Sequence, residues 1–503
     1  MNDVIKVEKI DDVHIRVTSD PGLRHELMEY FSFRPPGYQF VPSYKNKIWD
    51  GYVRLYNPMK PFLYSGLLDY LSKFCGDRGY DIDIPRELQP SNDIDDDYVL
   101  RLAEALKTPM TPRDYQIDYI LNALRNNRSL SLSPTSSGKS FIIYLIQQHY
   151  FRTFGHRALI IVPTISLVHQ MASDFVDYGC NESRIYKIQG GVDKNTQHPI
   201  VISTWQSLMK QPKEWFDQFR VVLGDEAHLF QAKSLTTIME KLTEAPYRHG
   251  FTGTISSESK IHRLVLEGLF GPIKRFVSTK ELMDEGTVAD FKVKAIILNH
   301  SVDTKKVFNN AIKEIKKKNK NTNKKTNLFA MEKEFLGNHT KRNLFLRNLV
   351  WSLSNQNNLI LFDWVEKHGK ILEPLLRKEG RILHFIHGDT SGEERERIRH
   401  VIENDPEKRH DILASYGTFS TGVSIKRIDN AIFASGYKSE VKVLQSIGRT
   451  LRKGNGSDNA CLYDIADDLS SGSRENYTLG HFKKRIEIYA AEDFDYKIFN
   501  IDI

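Results

Sequence analysis

Residues 129–146, SLSLSPTSSGKSFIIYLI, have the order of a short apolar strand, a polar loop and an apolar helix. The loop, residues 133–140, ends in Gly-Lys-Ser where the helix begins. Backbone N–H groups at the N-terminus of a helix attract anions, and glycine lets the backbone approach them closely. This order predicts a phosphate-binding loop in a parallel α/β domain, although Ser133 stands where the strict pattern has its first glycine.

Seven residues of this loop are candidates for binding a nucleotide, which we expect to be ATP. Lys139 would reach the β- and γ-phosphates, and the hydroxyl of Ser140 would ligate Mg²⁺. The candidates are Pro134, Thr135, Ser136, Ser137, Gly138, Lys139 and Ser140. A Gly-Lys-Ser tripeptide is often a surface turn, so the prediction depends on the flanking strand and helix.

A second motif supplies two adjacent carboxylates. Residues 221–228, VVLGDEAH, read as a buried strand that ends at Asp225 and Glu226, about 85 residues after the loop. Asp225 can hold Mg²⁺ through water, and Glu226 can orient and deprotonate an attacking water. A strand end capped by acidic residues is the simpler interpretation, but it does not explain why both halves of a Mg–nucleotide site occur in this order.

Short apolar segments recur around these motifs and alternate with amphipathic ones, which predicts parallel sheets covered by helices on both faces. In residues 111–285 the strand candidates are residues 129–132, 158–162, 199–203, 221–223 and 249–251. In residues 286–470 they are residues 292–298, 358–362, 381–385, 411–414, 430–433 and 461–463. The two similar stretches predict a duplicated, doubly wound α/β core.

Three further regions flank this core. Residues 1–85 are expected to form a small α+β domain, with a helix at residues 23–31 and a strand or hairpin at residues 48–56. Residues 86–110, which include an acidic run, are expected to be a linker leading into a short helix. Residues 471–503 are expected to be a helical tail with its helix at residues 482–491.

The composition bounds the class of protein. The 503 residues carry a net charge of +7, which is weak evidence for a polyanionic partner. The three cysteines lie far apart without a CxxC pair, so we expect a reducing cytosol rather than a zinc site or a disulfide framework. The start, MNDVIKVEKIDD, has no signal-peptide pattern, and no apolar run approaches the roughly 18 residues that span a bilayer. A cytoplasmic protein without a membrane segment is expected.

Further motifs follow along the chain in order. In the first α/β stretch they are RDYQ at residues 113–116, VPTISLVHQ at residues 162–170, STWQSL at residues 203–208, DEAH at residues 225–228 and TGT at residues 252–254. In the second they are HGD at residues 387–389, GTFSTGVS at residues 417–424 and QSIGRTLR at residues 445–452. With these motifs the chain resembles the superfamily 2 helicases over residues 111–455. The resemblance implies two tandem RecA-like motor domains.

The same resemblance implies roles for individual residues. The adenine would be read by Arg113 and Gln116, and hydrolysis would be coupled to movement by His228, Thr252, Thr254 and Gln445. Arg449 and Arg452 would reach the γ-phosphate from the second domain and join Lys139, Asp225 and Glu226 in the catalytic set. Taken alone, two arginines three residues apart on a helix usually form a solvated face.

Nucleic-acid contacts are expected from small donors, which suit the phosphate oxygens of one strand without reading its sequence. The candidates that the family motifs imply are Thr164, Ser203, Thr204, His387 and Thr421. For the serine and threonine candidates taken one by one, the alternative interpretation is a helix cap or a turn residue.

Two basic segments lie outside these motifs. In residues 30–49 cations are interleaved with aromatic residues; Arg34, Lys45 and Lys47 are candidates for DNA contact, whereas Phe31, Phe40 and Trp49 are expected in the core of the small domain. Residues 305–325 contain nine lysines. A solvated helix end with a flexible loop is favoured there over a phosphate-backbone contact.

The length, the aromatic N-terminal module and the phosphate loop make the whole chain similar to the recombination and repair helicases of T-even-type bacteriophages. This resemblance implies an ATP- and Mg²⁺-dependent DNA helicase or translocase that acts on branched DNA and R-loops, with branch migration activity, in the host cytoplasm. Its expected partners are single-stranded DNA, branched duplex DNA, RNA–DNA hybrids and a single-stranded DNA-binding protein, and a monomer is favoured. Two alternatives stay open, an ATP-dependent RNA helicase and an ATP-gated nucleic-acid-binding or annealing protein. A restriction translocase is a third, but the sequence has no evident nuclease motif.

Overall fold

The structure is a computed structural model that divides into two units, Met1–Val277 and Ser278–Ile503. It describes residues 4–89, 93–255, 260–322, 327–405, 407–420, 425, 427–436, 459–472 and 474–503. The first unit holds an N-terminal module, residues 4–89, and a first α/β domain, and the second unit holds a second α/β domain.

The N-terminal module is an α+β structure built on a four-stranded sheet. Its strands are β1 (Val4–Lys9), β2 (His14–Thr18), β3 (Ser32–Phe33), β4 (Val53–Arg54), β5 (Phe62–Tyr64) and β6 (Asp81–Asp83). The main sheet has the order β5-β2-β1-β6, and β3 pairs with β4 in a separate antiparallel ribbon. Its helices are Pro21–Tyr30, Pro42–Lys45 and Leu68–Arg78, with single turns at Tyr38–Phe40, Ser65–Leu67 and Arg86–Leu88.

The module packs against the α/β domain of the same unit. Leu264, from the helix Lys260–Phe270 of that domain, belongs to the module's apolar core. The hydroxyl of Tyr64 donates to Glu240 at 2.7 Å, and that of Tyr70 donates to Glu267 at 2.7 Å. Since a buried apolar contact and two partly buried hydrogen bonds act together here, the module is an integral part of the first unit.

The strand expected at residues 48–56 is largely wrong. Only Val53–Arg54 is extended, and its partner is Ser32–Phe33 rather than a strand across a turn at Asp50. Residues 34–52 between these strands form an excursion that we call the arm. Lys47 and Gly51 have φ values of 58° and 85°, which interrupt a strand because the extended β conformation has negative φ.

The first α/β domain has a seven-stranded sheet in which all strands are parallel. The strands are β7 (Arg128–Leu132), β8 (Ala158–Val162), β9 (Ile185–Ile188), β10 (Ile200–Thr204), β11 (Val221–Asp225), β12 (Tyr247–Thr252) and β13 (Ile273–Lys274). Their order is β13-β7-β12-β11-β8-β10-β9. The five strands expected from the sequence are all present. Those it missed, β9 and β13, lie at the two edges, where shorter and half-exposed strands lack a continuous apolar run.

Helices flank this sheet, since parallel strands need long crossover connections, which are usually helical. The helices are Tyr98–Leu106, Asp114–Asn126, Lys139–Phe154, Ile165–Asp177, Trp205–Leu208, Lys213–Phe216, Lys233–Lys241 and Lys260–Phe270, with turns at Glu182–Arg184 and Ala227–Gln231.

The second α/β domain has the same architecture, a seven-stranded parallel sheet with helices. Its strands are β14 (Asp290–Asn299), β15 (Asn358–Phe362), β16 (Ile382–Ile386), β17 (His410–Ser415), β18 (Asn430–Phe433), β19 (Asn459–Asp468) and β20 (Asp495–Asp502). They are parallel in the order β16-β17-β15-β18-β19-β14-β20. The helical segments of this domain are Thr279–Asp284, Val302–Thr322, Leu328–Gly337, Thr340–Ser352, Val365–Gly369, Lys370–Leu376, Gly392–Asn404, Tyr416–Ser420 and Tyr477–Ala491. Two parallel sheets with covering helices confirm the fold class.

The C-terminal segment contains a strand that the sequence did not predict. The expected helix is present as Tyr477–Ala491, but Asp495–Asp502 then joins the sheet as β20 and pairs with β14 along its whole length. Most side chains of β20 are exposed because it is an edge strand. Its sequence therefore lacks the apolar run by which the inner strands were recognised.

The lysine-rich stretch begins on the helix Val302–Thr322, as the solvated-helix interpretation expected. Lys305 pairs with Asp468 at 3.0 Å, and Lys306 pairs with Asp303 at 3.3 Å on the same helix. Residues 323–326 lie outside the described part of the chain, so a phosphate-backbone role for this stretch stays a prediction.

A buried ion pair stabilises the second unit. Arg485 and Asp464 have side chains that are 1% and 0% exposed, and both guanidinium–carboxylate hydrogen bonds measure 2.8 Å. The hydroxyl of Tyr489 donates to the same carboxylate at 2.8 Å. A buried charge without its partner is strongly unfavourable, so each member of the pair depends on the other.

Replacing Arg485 with methionine is expected to lower the free energy of unfolding of the second unit by about 3–5 kcal/mol, because Asp464 would stay buried without its counter-charge. Urea unfolding measures the change. The control is Lys483→Met on the same helix, since the exposed pair of Lys483 with Glu475 is expected to contribute less than about 1 kcal/mol. Equal unfolding midpoints for the two variants would contradict the prediction.

Within the described residues, no helix is both long enough and apolar enough to cross a membrane.

Candidate nucleotide site and nucleic-acid contacts

The phosphate loop lies between β7 and the helix Lys139–Phe154, at the carboxyl edge of the first sheet. Ser136 and Gly138 have φ values of 68° and 81°, so the chain turns sharply just before the helix. Turns of this kind can direct successive backbone N–H groups toward one anion. The ammonium of Lys139 donates to the carbonyl oxygens of Ser133 at 3.2 Å and Pro134 at 3.4 Å. These contacts hold the lysine over the loop, where it can meet a phosphate.

Ser133, the departure from the strict loop pattern, is accommodated inside the domain. It is fully buried, and its hydroxyl lies 2.5 Å from that of Ser137, which in turn donates to the carbonyl of Pro134 at 2.7 Å. The side chain therefore closes the base of the loop with hydrogen bonds. A glycine is unnecessary here because the backbone at Ser133 still follows the sheet, with its N–H donating to Thr252.

The RDYQ segment supports the loop from one side. The side-chain amide of Gln116 donates to the carbonyl of Ser137 at 2.9 Å, while its oxygen accepts from the backbone N–H of Arg113 at 3.0 Å. The hydroxyl of Tyr115 donates to the same carbonyl at 3.2 Å. Gln116 is buried with both amide atoms engaged and so supports the loop, whereas Arg113 is exposed; the reading of adenine by these two residues stays a prediction.

Gly138→Ala is expected to weaken nucleotide binding at least about tenfold, since backbone amides that cradle a phosphate must keep their geometry. A Cβ at this position would lie 2.4 Å from the Gln116 amide nitrogen, on a backbone with positive φ. The matched control is Gly155→Ala at the other end of the same helix, where φ is also positive but no atom lies within 4 Å. Titration with a fluorescent nucleotide compares the two variants. Equal losses would mean that backbone strain, and not the contact with Gln116, is responsible.

Two carboxylates meet the loop at the end of β11. Asp225 is buried and accepts a hydrogen bond at 2.9 Å from the backbone N–H of Glu226, which has a left-handed backbone conformation with φ 51°. Such a conformation is costly for a residue other than glycine and is concentrated at functional sites. With this conformation at Glu226, the side chains of Asp225 and Glu226 no longer follow the alternation between opposite faces that a strand imposes.

Burial, followed by the charge of Glu226, raises the pKa of Asp225 to about 6, while the ammonium of Lys139 opposes this shift. Lys139, Asp225 and Glu226 thus lie close enough to interact electrostatically. A desolvated carboxylate beside a second carboxylate is the environment that a divalent cation relieves, and hydroxyl and carboxylate oxygens are ligands that Mg²⁺ prefers. Ser140 and Asp225 therefore fit the expected Mg²⁺ site.

A chain of polar contacts connects Glu226 to the loop through the TGT motif. His228 Nδ1 lies 2.9 Å from the hydroxyl of Thr252, which donates to the carbonyl of Thr254 at 2.9 Å. Since the threonine proton is used there, His228 must donate from Nδ1, and the Glu226 carboxylate lies 3.4 Å from the same nitrogen. The backbone N–H of Ser133 then donates to the carbonyl of Thr252 at 2.9 Å. Three of the coupling candidates thus form one network that reaches the phosphate loop.

Tyr178 is a contact of the site that the sequence did not predict. Its hydroxyl lies 2.9 Å from that of Ser140, and its ring packs edge-on against Phe141. Tyr178 follows the helix Ile165–Asp177, whose first turn is capped by Thr164. A tyrosine 38 residues from its partner carries no local sequence signal, so only the packing of the two helices reveals it.

Four of the candidates lie outside the residues that the structure describes. They are Thr421, Gln445, Arg449 and Arg452. Their roles stay predictions. In the second unit His387 is half-buried, and its Nδ1 lies 3.5 Å from the carboxylate of Asp389.

The structure separates the other nucleic-acid candidates by exposure. Thr164 is half-buried and its hydroxyl accepts from the backbone N–H of Leu167 at 3.3 Å, so it caps a helix and still borders the surface. Ser203 and Thr204 are 0% and 4% exposed, and their hydroxyls bond within the protein. Both lie at the carboxyl end of the fully buried strand β10, and their contact with a nucleic-acid strand stays a prediction.

The N-terminal candidates Arg34, Lys45 and Lys47 are all exposed and all lie on the arm. The core expected around them is only partly correct. Phe31 is 1% exposed and belongs to the module's core, and Trp49 is half-buried. Phe40 is 70% exposed and does not belong to the core. The expectation for Phe40 was wrong because the arm leaves the sheet before this residue.

Family models match the chain in three parts: "DNA helicase UvsW, N-terminal" at residues 4–85, "Type III restriction enzyme, res subunit" at residues 109–257 and "Helicase conserved C-terminal domain" at residues 340–454. The chain is 25% identical over 371 residues to the DNA 3'-5' translocase XPB2 of Sulfurisphaera tokodaii, covering 69% of this chain and 80% of that protein.

The similarity to one bacteriophage protein spans both sequences. The chain is 33% identical over 523 residues to the ATP-dependent DNA helicase uvsW of Enterobacteria phage T4, covering 99% of this chain and 100% of that protein. A crystal structure of T4 UvsW matches with a TM-score of 0.51 at 30% identity, covering 100% of each chain. With the nucleotide loop, the DEAH motif and the N-terminal module all inside this match, the chain belongs to the UvsW family of superfamily 2 helicases and is an ATP-dependent helicase.

Proposed function

We propose that this helicase is a DNA translocase for branched DNA, such as Holliday junctions and forks, and for R-loops, with branch migration activity in recombination, repair and replication restart. The observation that carries the proposal is the N-terminal module. It packs against the first α/β domain and presents exposed cations on an arm. A motor that holds one strand and a separate basic surface that holds another duplex arm suit a substrate with more than one arm.

In the proposed chemistry each residue of the site has a distinct task. Glu226 accepts a proton from the attacking water, and Lys139 stabilises the charge that develops on the γ-phosphate. Ser140 and Asp225 would hold Mg²⁺, which when bound would supply positive charge to the phosphates. His228 and Thr252 connect Glu226 to the phosphate loop. A displacement of the γ-phosphate is therefore transmitted through these contacts to the TGT motif.

The helix Ile165–Asp177 supports a coupling of hydrolysis to DNA. Thr164, a candidate strand contact, caps its first turn, and Tyr178 after its last turn contacts Ser140 at the nucleotide site. A helix moves as a rigid element, so displacement at one end is transmitted to the other. We include in the proposal that the motor acts as a monomer and works beside a single-stranded DNA-binding protein.

A substrate panel tests the proposal. ATPase activity and strand separation are measured on linear duplex, forked DNA, a four-way junction, an RNA–DNA hybrid and RNA, at one stated salt concentration because phosphate contacts make affinity depend on salt. The largest stimulation is expected on the fork and the junction. Equal or greater activity on RNA would favour an RNA helicase, and nucleotide-dependent binding without multiple-turnover phosphate release would favour an ATP-gated binding protein. Either result would overturn the proposal.

A further inference from the structure

We infer that Tyr178 is a positioning residue for the metal: its hydroxyl orients that of Ser140, so that a lone pair of the serine oxygen stays available to Mg²⁺. The inference rests on the proposed function in one respect, namely that Ser140 is a ligand of Mg²⁺. It adds a residue outside every motif of the site, and it makes the Mg²⁺ requirement of ATP hydrolysis depend on that residue.

The two hydroxyl groups are in hydrogen-bond contact. Their oxygens lie 2.9 Å apart, within the normal range for an O–H···O hydrogen bond. A hydroxyl has one proton to donate and two lone pairs that accept. When Ser140 donates to Tyr178, both lone pairs of the serine oxygen are left for other partners. A cation makes the hydroxyl that it binds a stronger donor, so this hydrogen bond and a bound Mg²⁺ favour each other.

The position of the Tyr178 hydroxyl is set by packing. The backbone N–H of Tyr178 donates to the carbonyl of Asp174 at 2.9 Å, at the end of the helix Ile165–Asp177. Its ring packs edge-on against Phe141 with centroids 5.0 Å apart, and against Tyr144 with centroids 5.7 Å apart. A half-buried tyrosine packs the apolar body of its ring and keeps its hydroxyl on a polar partner.

Ser140, in contrast, has a side chain whose direction must be selected. It lies in the first turn of the helix Lys139–Phe154, and Tyr144 follows four residues later on the same helix face. A serine hydroxyl has three staggered rotamers and readily bonds to nearby backbone groups instead of a ligand. The contacts that hold the Tyr178 ring also bring its hydroxyl to Ser140, so the tyrosine selects one of these rotamers.

Two other serines of the loop show a different kind of contact. The hydroxyls of Ser133 and Ser137 lie 2.5 Å apart, and that of Ser137 donates to the carbonyl of Pro134 at 2.7 Å. These hydrogen bonds lie within the loop and hold its fold. The hydroxyl of Ser140 instead meets a residue 38 positions away, on another helix. The tyrosine therefore orients the hydroxyl that is expected at the metal and leaves the loop itself unchanged.

Mg²⁺ is sensitive to the placement of each of its ligands, because it demands near-ideal octahedral geometry. Groups that hydrogen-bond to a metal ligand fix its orientation, and their loss weakens metal binding by about tenfold to a hundredfold. We therefore expect the Tyr178 hydroxyl to contribute to the affinity for the metal and not to the affinity for the nucleotide alone.

The experiment uses Tyr178→Phe, which removes the hydroxyl and keeps the ring. The full-length chain, saturated with ADP, is titrated with Mn²⁺, which suits the same oxygen ligands as Mg²⁺, and free Mn²⁺ is measured by electron paramagnetic resonance. The Kd for Mn²⁺ is expected to rise about tenfold, while the affinity for ADP in EDTA stays within about twofold. An unchanged Kd would overturn the inference. A lower Kd would overturn it too, because the tyrosine would then draw the serine hydroxyl away from the metal.

A double-mutant cycle tests whether the tyrosine acts through the serine. Ser140→Ala is measured alone and together with Tyr178→Phe. The second substitution is expected to change the Kd for Mn²⁺ no further once the serine hydroxyl is gone. A further rise in the double variant, equal to that in Tyr178→Phe alone, would contradict the inference, since the two residues would then act independently.

The Mg²⁺ dependence of ATP hydrolysis separates positioning from packing. In Tyr178→Phe the Mg²⁺ concentration for half-maximal activity is expected to rise about tenfold, with kcat at saturating Mg²⁺ within about twofold of wild type. The matched control is Tyr144→Phe, which removes a hydroxyl from the buried ring beside Tyr178 and is expected to keep the wild-type Mg²⁺ dependence. A lower kcat in Tyr178→Phe at an unchanged Mg²⁺ dependence would indicate packing alone and refute the assignment.

Ser140→Ala by itself reports on the proposed function. Unchanged Mn²⁺ affinity in that variant would overturn the metal role of Ser140 and this inference with it. A loss of Mn²⁺ affinity in Ser140→Ala without a loss in Tyr178→Phe would overturn the inference alone. Thermal unfolding shows whether each variant is folded.

Discussion

Lys139→Ala is expected to lower kcat for ATP hydrolysis by about a hundredfold to a thousandfold, the cost of removing one charge that stabilises a transition state. The ammonium of Lys139 lies over the phosphate loop, held by the carbonyls of Ser133 and Pro134. Alanine removes both the charge and the side chain that reaches the phosphates, so nucleotide affinity is expected to fall as well. Steady-state phosphate release and nucleotide titration measure the two effects.

The control for this prediction is Lys213→Ala, which removes an exposed lysine of the same unit far from the loop in sequence. It is expected to hydrolyse ATP at the wild-type rate. Because the ammonium of Lys139 opposes the raised pKa of Asp225, its loss also leaves the buried carboxylate of Asp225 and the half-buried carboxylate of Glu226 less compensated. Wild-type ATPase and strand separation in Lys139→Ala would refute the assignment of the site.

Glu226→Gln is expected to lower the rate of hydrolysis by about a hundredfold to ten-thousandfold, the contribution of a positioned general base. Glutamine has the same shape as glutamate, so the left-handed backbone and the contact with His228 can persist while the proton acceptor is lost. Nucleotide binding is therefore expected to stay within about threefold of wild type, a free-energy change below about 0.7 kcal/mol. Single-turnover hydrolysis and equilibrium binding separate the two steps.

The contrast with Lys139→Ala makes the prediction specific. One variant should lose binding and catalysis together, whereas the other should bind nucleotide and DNA and fail only to turn over. Glu214→Gln, an exposed glutamate in the same unit, serves as the control. A Glu226→Gln variant that loses nucleotide binding would indicate that this carboxylate supports the fold of the loop rather than the chemistry.

The sequence predicted the inner strands of both sheets almost without error. Residues 158–162, 358–362 and 430–433 are strands at the predicted bounds, because a central strand of a parallel sheet is covered on both faces and must be continuously apolar. Edge strands are not under that constraint. The segment Asp495–Asp502 pairs with β14 through its backbone and carries mostly exposed side chains, so its pattern resembled that of a tail.

In the candidate site, too, the sequence predicted some features and missed others. The loop and the acidic pair were recognised because their chemistry requires consecutive residues, so the motif is local in the sequence. The support of the loop by Gln116, the network from His228 to Ser133 and the contact of Tyr178 with Ser140 join residues that lie far apart along the chain. Such contacts depend on how helices and strands pack, and the residues that make them have no characteristic spacing.

By itself the sequence determined the class of this protein: two parallel α/β domains, a nucleotide loop and an acidic pair in helicase order. These features are local, since apolar periodicity and short motifs follow from the requirements of single strands and loops. Only the tertiary structure decided which side chains are available to a partner. Ser203 and Thr204 are buried in the sheet, whereas Phe40 is exposed on the arm. Exposure depends on everything that packs around a residue, and neighbouring sequence does not specify it.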